Sequence, residues 1–410
     1  MLPFALLLLS LSCCPLLAPK FWEHHFKKII IALVIIPVFY YSVVFGAGHE
    51  YFHVATDYGS FMVVIGSLFV ISGGVHLRVK GESKPWSNCL FLLLGTLLGS
   101  FIGTTGASML LIRPWIRMNK YRFTGMHVAF FIIFVSNLGG ALTPLGPPLF
   151  LGYLKGVPFW WGLTRCWPGW CVTMAAVIPI FYFLDRHNFM RATREIREME
   201  TAHEEWHADG LHNLFFMAVV LFAIIVLPEG IREMAMIAAA AASYFTTQKR
   251  VHEANHFNIG PIKEVGWIFL GIFATMKPVL DFMSLHAAEL GLRSDAQFYW
   301  GSGLLSGVLD NAPTYLTFLA AACGLEHLNL DSAQDMHTFI AQHDHYLIAI
   351  SLGSTCFGAL TYIGNGPNLM VKAICEQANV RTPHFFGYIF KYTAPVLIPV
   401  FIFVSWLFFH

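Results

Sequence analysis

A carboxylate, a carboxamide and a hydroxyl lie inside an apolar stretch, beside a helix-breaking proline. Between residues 302 and 319 the apolar run is interrupted by Leu309-Asp310-Asn311-Ala312-Pro313-Thr314. About twenty residues this apolar are long enough to be buried in a membrane. An Asp at the centre of a membrane helix costs at least roughly 2.5–3.5 kcal/mol, so it normally faces a cavity, a partner or a substrate path. Pro313 breaks the backbone ladder, which lipid tolerates only where protein or a polar cavity surrounds the break. Ion-coupled transporters place such a group at the bilayer midplane. A kinked helix with a satisfied Asp is the plainer alternative.

The composition fits a membrane setting. The 410 residues are 56% hydrophobic and 12% charged, against about 25% charged in a soluble globule. The mean hydropathy is +0.61. This implies a polytopic, all-α integral membrane protein. Lys and Arg (25) almost balance Asp and Glu (24), so no basic field for nucleic acid exists. Cys13, Cys14, Cys89, Cys166, Cys171, Cys323, Cys356 and Cys375 lack metal-knuckle spacing and read as small buried hydrophobes. Residues 1–19 have no positive region ahead of the apolar run, so a first membrane helix is expected in place of a signal peptide.

Apolar segments fall at about 2–18, 29–46, 58–76, 88–112, 125–157, 168–184, 211–228, 231–248, 264–283, 296–325, 343–379 and 386–409. Residues 20–28 carry three lysines, 47–57 carry no Lys or Arg, and 77–87 bring back Arg78, Lys80 and Lys84. The positive-inside rule then sets the amino terminus outside and 77–87 in the cytoplasm. Segment 88–112 has positive flanks on both sides, the second being Arg113, Arg117, Lys120 and Arg122. Both ends want the cytoplasm, so a re-entrant hairpin is expected, turning at residues 103–108. Segment 296–325 has acidic flanks (Glu289, Asp295, Glu326, Asp331, Asp335) and reads as a second hairpin entering from the opposite face. The charged stretch 185–210 reads as a cytoplasmic linker, with Arg186–Asp209 as an amphipathic face.

An internal duplication leads to the same layout. Leu97-Leu98-Gly99-Ser100-Phe101-Ile102 parallels Leu304-Leu305-Ser306-Gly307-Val308-Leu309. Gly140-Ala141-Leu142-Thr143, followed by a Gly/Pro break, parallels Gly358-Ala359-Leu360-Thr361. The expected architecture is an inverted-topology repeat of 5+5 transmembrane helices with two re-entrant hairpins and two broken helices. The first repeat takes 1–184 (hairpin 88–112, broken helix 125–157). The second takes 211–410 (hairpin 296–325, broken helix 343–379).

The interruptions at 103–108, 143–148, 310–314 and 361–368 should then converge. Their hard oxygen donors are Thr104, Thr105, Ser108, Ser136, Asn137, Thr143, Asp310, Asn311, Thr314, Ser354, Thr355, Thr361, Asn365 and Asn368. Such donors suit a small hard cation such as sodium. Desolvation favours a protonated Asp310 and a bound cation favours the ionised form, so proton and sodium compete for it. That competition suffices for antiport when the protein alternates only with one of them bound. No cofactor is expected beyond the transported Na+ and H+. Lys277 has two readings: a local pair with Asp281 one turn on, or an internal cation that pairs with Asp310 when sodium is absent.

These motifs, with Gly103-Thr104-Thr105-Gly106-Ala107-Ser108, Ser136-Asn137-Leu138-Gly139-Gly140 and Thr143-Pro144-Leu145-Gly146-Pro147-Pro148, are similar to those of the ion transporter superfamily. That group includes arsenite permease-like, citrate and dicarboxylate transporters; the chain most resembles its NhaD-like sodium/proton antiporters. The resemblance spans nearly the whole chain. It implies a homodimer in the plasma membrane, as in a bacterial inner membrane, with Asp310-Asn311 and Ser136-Asn137 near the ion. The family's Asp between the Gly and the Pro pair of the first break is missing here, since Gly146 is followed directly by Pro147.

Two other readings stand beside antiport. Sodium- or proton-coupled uptake of citrate or a dicarboxylate is one, because helix amino ends at the breaks can hold carboxylates; Lys277 favours it. The other is a membrane zinc metalloprotease, since His49-Glu50-Tyr51-Phe52-His53 matches H-E-x-x-H. That motif falls in an expected exterior connection without a third ligand, and 19 histidines make chance matches easy. A solvated or metal-sensing loop is the preferred reading there. His127 is expected at the membrane interface.

Overall fold

The computed structural model describes residues 1–78, 84–191, 207–255 and 257–409. Over those residues the chain is almost entirely helical. The first half contains α1 (Leu2–Leu17), α2 (Pro19–Phe39), α3 (Gly48–Gly73), α4 (Pro85–Ile102), α5 (Thr104–Met118), α6 (Gly125–Phe131), α7 (Pro147–Leu154), α8 (Trp161–Arg165) and α9 (Trp167–Arg191). The second contains α10 (Asn213–Val226), α11 (Ile231–Thr246), α12 (Lys249–Ala254), α13 (Gly260–Leu285), α14 (Asp295–Ser306), α15 (Asn311–Leu325), α16 (Ala333–Gln342), α17 (Asp344–Cys356), α18 (Gly366–Gln377), α19 (Phe385–Tyr388) and α20 (Ala394–Phe408). Among the described residues, six helices are long and apolar enough to cross a membrane. Exposed Ile35, Ile36, Phe39, Phe215, Phe222, Phe403 and Trp406 leave apolar flanks that water would not accept. The protein is a multi-pass α-helical membrane protein.

Several expected boundaries move. The lysine-bearing stretch 20–28 is helical and belongs to α2, because Pro19 restarts the chain immediately after Ala18. The expected exterior connection 47–57 is the first three turns of α3. At 26 residues, α3 is about 39 Å long, beyond the roughly 30 Å of a hydrocarbon core. Its polar start therefore stands clear of the apolar zone as helix. The turn expected at 103–108 is Gly103 alone (φ 76°), and Thr104 through Ser108 are already helical. The expected linker 185–210 begins inside α9, which runs to Arg191; residues 192–206 lie outside the described residues. Its far end forms β2 (His207–Asp209), antiparallel to β1 (His76–Arg78), with Leu77 opposite Ala208.

The order helix, break, helix, interrupted helix occurs twice. α4 and α5 meet at Gly103; α14 and α15 meet at residues 307–310. Residues 125–154 run from α6 through a π turn (Ile132–Asn137) and a 3-10 turn (Leu138–Gly140) to α7. Residues 344–377 run from α17 through a 3-10 turn (Phe357–Leu360) to α18. Every residue from 126 to 152 is buried, which a segment apolar on all sides requires of its neighbours. α13 packs on α2, α3 and α15; α3 packs on α5, α7, α10 and α11; α15 packs on α7 and α17; and α18 packs on α5.

Candidate functional site

The four interruptions meet. A cavity of about 30 Å³ takes Thr105 from the first hairpin, Pro147 from the first interrupted helix, Asp310 from the second hairpin, and Asn365 and Gly366 from the second interrupted helix. α3 and α13 close it with Ile65, Phe69, Val265 and Phe269. Asp310 caps α15, its Oδ1 accepting from the Ala312 N–H at 3.1 Å. The Gly366 N–H at the start of α18 also reaches it. Two helix amino ends thus aim partial positive charge at one carboxylate. Among the described residues lining the cavity, Asp310 is the single ionisable group.

Behind the cavity lies a layer of buried amides. Asn137 Nδ2 donates to Asn368 Oδ1 and to the Ile132 carbonyl, both at 2.9 Å. Asn365 Nδ2 donates to the Ser136 carbonyl at 2.7 Å, and Ser136 Oγ meets Ser108 Oγ at 2.8 Å. Asn368 Nδ2 donates to the Gly358 and Thr361 carbonyls at 2.8 and 2.9 Å. Ser306 Oγ donates to the Ser354 carbonyl at 2.5 Å. Its one proton being used there, the Asn311 amide is satisfied with its nitrogen donating to the Gly364 carbonyl at 2.5 Å and to Ser306 Oγ at 2.6 Å. Ser306, opposite Gly99 in the duplicated stretch, was not among the expected donors.

Several hydroxyls expected at an ion donate to backbone carbonyls. Thr361 Oγ1 donates to the Gly307 carbonyl at 2.7 Å, and Thr143 Oγ1 makes the matching bond to the Ser100 carbonyl. These bonds tie the end of α4 to the residues ahead of α7, and the end of α14 to the residues ahead of α18. Thr314 Oγ1 donates to the Asp310 carbonyl at 2.9 Å, and the Ser354 and Thr355 hydroxyls donate back into α17. Thr104 differs. Its Oγ1 is buried without a hydrogen-bond partner in the first turn of α5, next to Gly140.

Gly358 carries a prediction. A Cβ there would meet the Asn311 amide and sit 2.7 Å from Asn137 Oδ1. Gly358→Ala is expected to cost about 1–3 kcal/mol through overpacking and to abolish transport. Thermal unfolding in detergent and a flux assay check the two parts.

Lys277 does not approach Asp310. Its Nζ lies 2.8 Å from Asp281, 2.8 Å from Glu50 and 3.7 Å from Asp331. In this conformation two nearer carboxylates, from α3 and α13, hold the ammonium. These groups line a vestibule of about 990 Å³ with His49, His53, Asp57 and Lys155. Lys155 Nζ is 3.0 Å from Asp57 and 2.8 Å from Asp331. Burial pushes the Asp331 carboxyl up, but Lys155 and Lys277 outweigh it and hold it below its ordinary value. Glu50 is therefore engaged by a lysine. Among the described residues, no three His, Cys, Asp or Glu are grouped to hold a metal.

A second vestibule, of about 880 Å³, is lined by Arg113, Arg117, Glu264, Gly366 and Met370. A buried cluster that the sequence reading placed elsewhere ties the first hairpin to α9. Asp185, fully buried instead of starting a linker, takes both Arg122 guanidinium nitrogens, Asn88 Nδ2 at 2.9 Å and His127 Nε2 at 3.0 Å. His127 is also fully buried. The Thr124 N–H donates to its Nδ1 at 3.2 Å, which fixes a neutral ring with the proton on Nε2.

No curated protein matches the chain. A family model described as "Putative citrate transport" matches residues 1–409, so the chain with this broken-helix cavity belongs to that transport family.

Proposed function

We propose that the chain is a cation-coupled secondary transporter working by alternating access, and that it exchanges sodium for protons at Asp310. The observation that carries this is the cavity where all four interruptions meet: about 30 Å³, with Asp310 as its ionisable group. That is room for one or two waters or a bare ion. Oxygen donors from Asp310, Thr105 and Asn365 suit a small hard cation.

The same reading takes 1–184 and 211–410 as inverted repeats whose hairpins dip in from opposite faces. The matching Thr143 and Thr361 bonds support it. So does the close approach of Gly146 to Gly140 in one half and of Gly364 to Gly358 in the other. The charge pattern supports an orientation with the 990 Å³ vestibule outside, the 880 Å³ vestibule in the cytoplasm and the amino terminus outside the plasma membrane. A homodimer in the bilayer completes the proposal.

Coupled uptake of a carboxylate such as citrate is a second reading, favoured by the family description and by Arg113 and Arg117. These arginines, one turn apart in a vestibule, have no ion pair among the described residues. Purified protein in sealed proteoliposomes decides between the two. Sodium-driven proton movement without organic substrate supports antiport; sodium- or proton-dependent entry of labelled citrate, without that exchange, replaces it.

A further inference from the structure

Three cavities are stacked along one face of α13. The 990 Å³ vestibule takes Phe273, Lys277 and Asp281 from it. The Asp310 cavity takes Pro261, Val265 and Phe269, and the 880 Å³ vestibule takes Pro261, Glu264 and Ile268. The helix has 26 residues and so extends about 39 Å, enough to pass from one water phase to the other.

The two junctions along this face differ. The Asp310 cavity shares Pro261, Val265, Gly366 and Met370 with the 880 Å³ vestibule, so the two adjoin. It shares no lining residue with the 990 Å³ vestibule. Phenylalanines stand between them. Phe269 lines the cavity and Phe273, one turn on, lines the vestibule. Phe61 packs on both, with ring centroids 4.5 and 5.4 Å apart, and on Phe150 at 6.0 Å. All four rings are buried. On the vestibule side of these rings, Asp331 joins Lys155 to Lys277. Lys155 follows α7 and Asp331 follows α15, both elements that begin at the breaks. Asp57 and Lys277 belong to α3 and α13. The ion pairs therefore fasten one set of elements to the other.

We propose that the cargo path follows this face of α13, and that the four phenylalanines with the Lys155–Asp331–Lys277 pairs form its closed barrier on the side of the 990 Å³ vestibule. Asp310 faces that vestibule only after the barrier parts. The inference rests on the alternating-access reading but not on which cargo is carried.

Ile65, on the α3 wall of the Asp310 cavity, is the reporter. Ile65→Cys, with the exposed Cys13 and Cys171 changed to Ser, is treated in sealed vesicles with a charged thiol reagent added to one face at a time. It is expected to react from the Arg113 face and to resist the reagent from the Lys155 face. Asp331→Asn raises the rate from the Lys155 face roughly fivefold, and Phe273→Ala raises it further. Unchanged rates in both variants overturn the barrier, as does reaction from the Lys155 face at the outset. Ile65→Cys reacting from neither face overturns the open junction. Val265→Cys, on the α13 wall, carries the measurement if the first variant does not assemble. Labelling needs no cargo, so its failure is distinct from a failure of sodium/proton exchange in proteoliposomes.

Discussion

Asp310→Asn is expected to stop sodium-driven proton movement while the protein stays folded. The asparagine oxygen still accepts from the Ala312 N–H, and Asn caps a helix about as well as Asp, so α15 keeps its start. What goes is the negative charge, in a cavity where no other ionisable side chain lies among the described lining residues. An unpaired cation there loses several kcal/mol, so sodium affinity falls at least about a hundredfold. Flux in proteoliposomes and unfolding temperature in detergent separate the two effects. Asp310→Ala provides the contrast, since it removes the cap as well, at a further cost of about 1 kcal/mol. Normal exchange by Asp310→Asn would take this residue out of the site.

Asp185→Ala is expected to act on the fold. It leaves the Arg122 guanidinium buried without its carboxylate and removes one partner each of Asn88 and His127. Breaking a buried pair from one side costs about 3–5 kcal/mol, a large share of any protein's margin. A collapse in folded yield and a much lower unfolding temperature follow. Replacing Asp185 and Arg122 together by leucine recovers much of that loss, because no uncompensated charge remains. Equal damage in the single and double variants would show that the hydrogen bonds of Asn88 and His127 matter more than the charge pair.

The chain announces its interruptions. Asp310, Pro313, the duplicated Gly-Ala-Leu-Thr and the Gly/Pro breaks are local signals, because lipid makes any broken helix costly and therefore conspicuous. Helix ends are less legible. α3 continues through Glu50 and Asp57 beyond the apolar zone, so hydropathy falls while the backbone ladder does not. Asp185 and His127 look like surface groups beside a run of arginines, and only tertiary packing buries them together. Lys277 finds Glu50 and Asp331, hundreds of positions away or in a loop, where sequence spacing gives no guide. Thr143 and Thr361 were recognisable as polar, but whether a hydroxyl faces an ion or a neighbouring carbonyl is decided by the fold.

The lone carboxylate at the convergence point has an energetic corollary. Where the second half places Asp310, the first half places Gly103, and no acid follows Gly146. In the proposed exchange, one ion swapped for one proton leaves the loaded site neutral in either direction. Moving an elementary charge through a field of 100 mV is worth about 2.3 kcal/mol, and a cycle that moves none gains none of it. Such an exchanger is indifferent to membrane voltage, and its set point is fixed by the two concentration gradients alone.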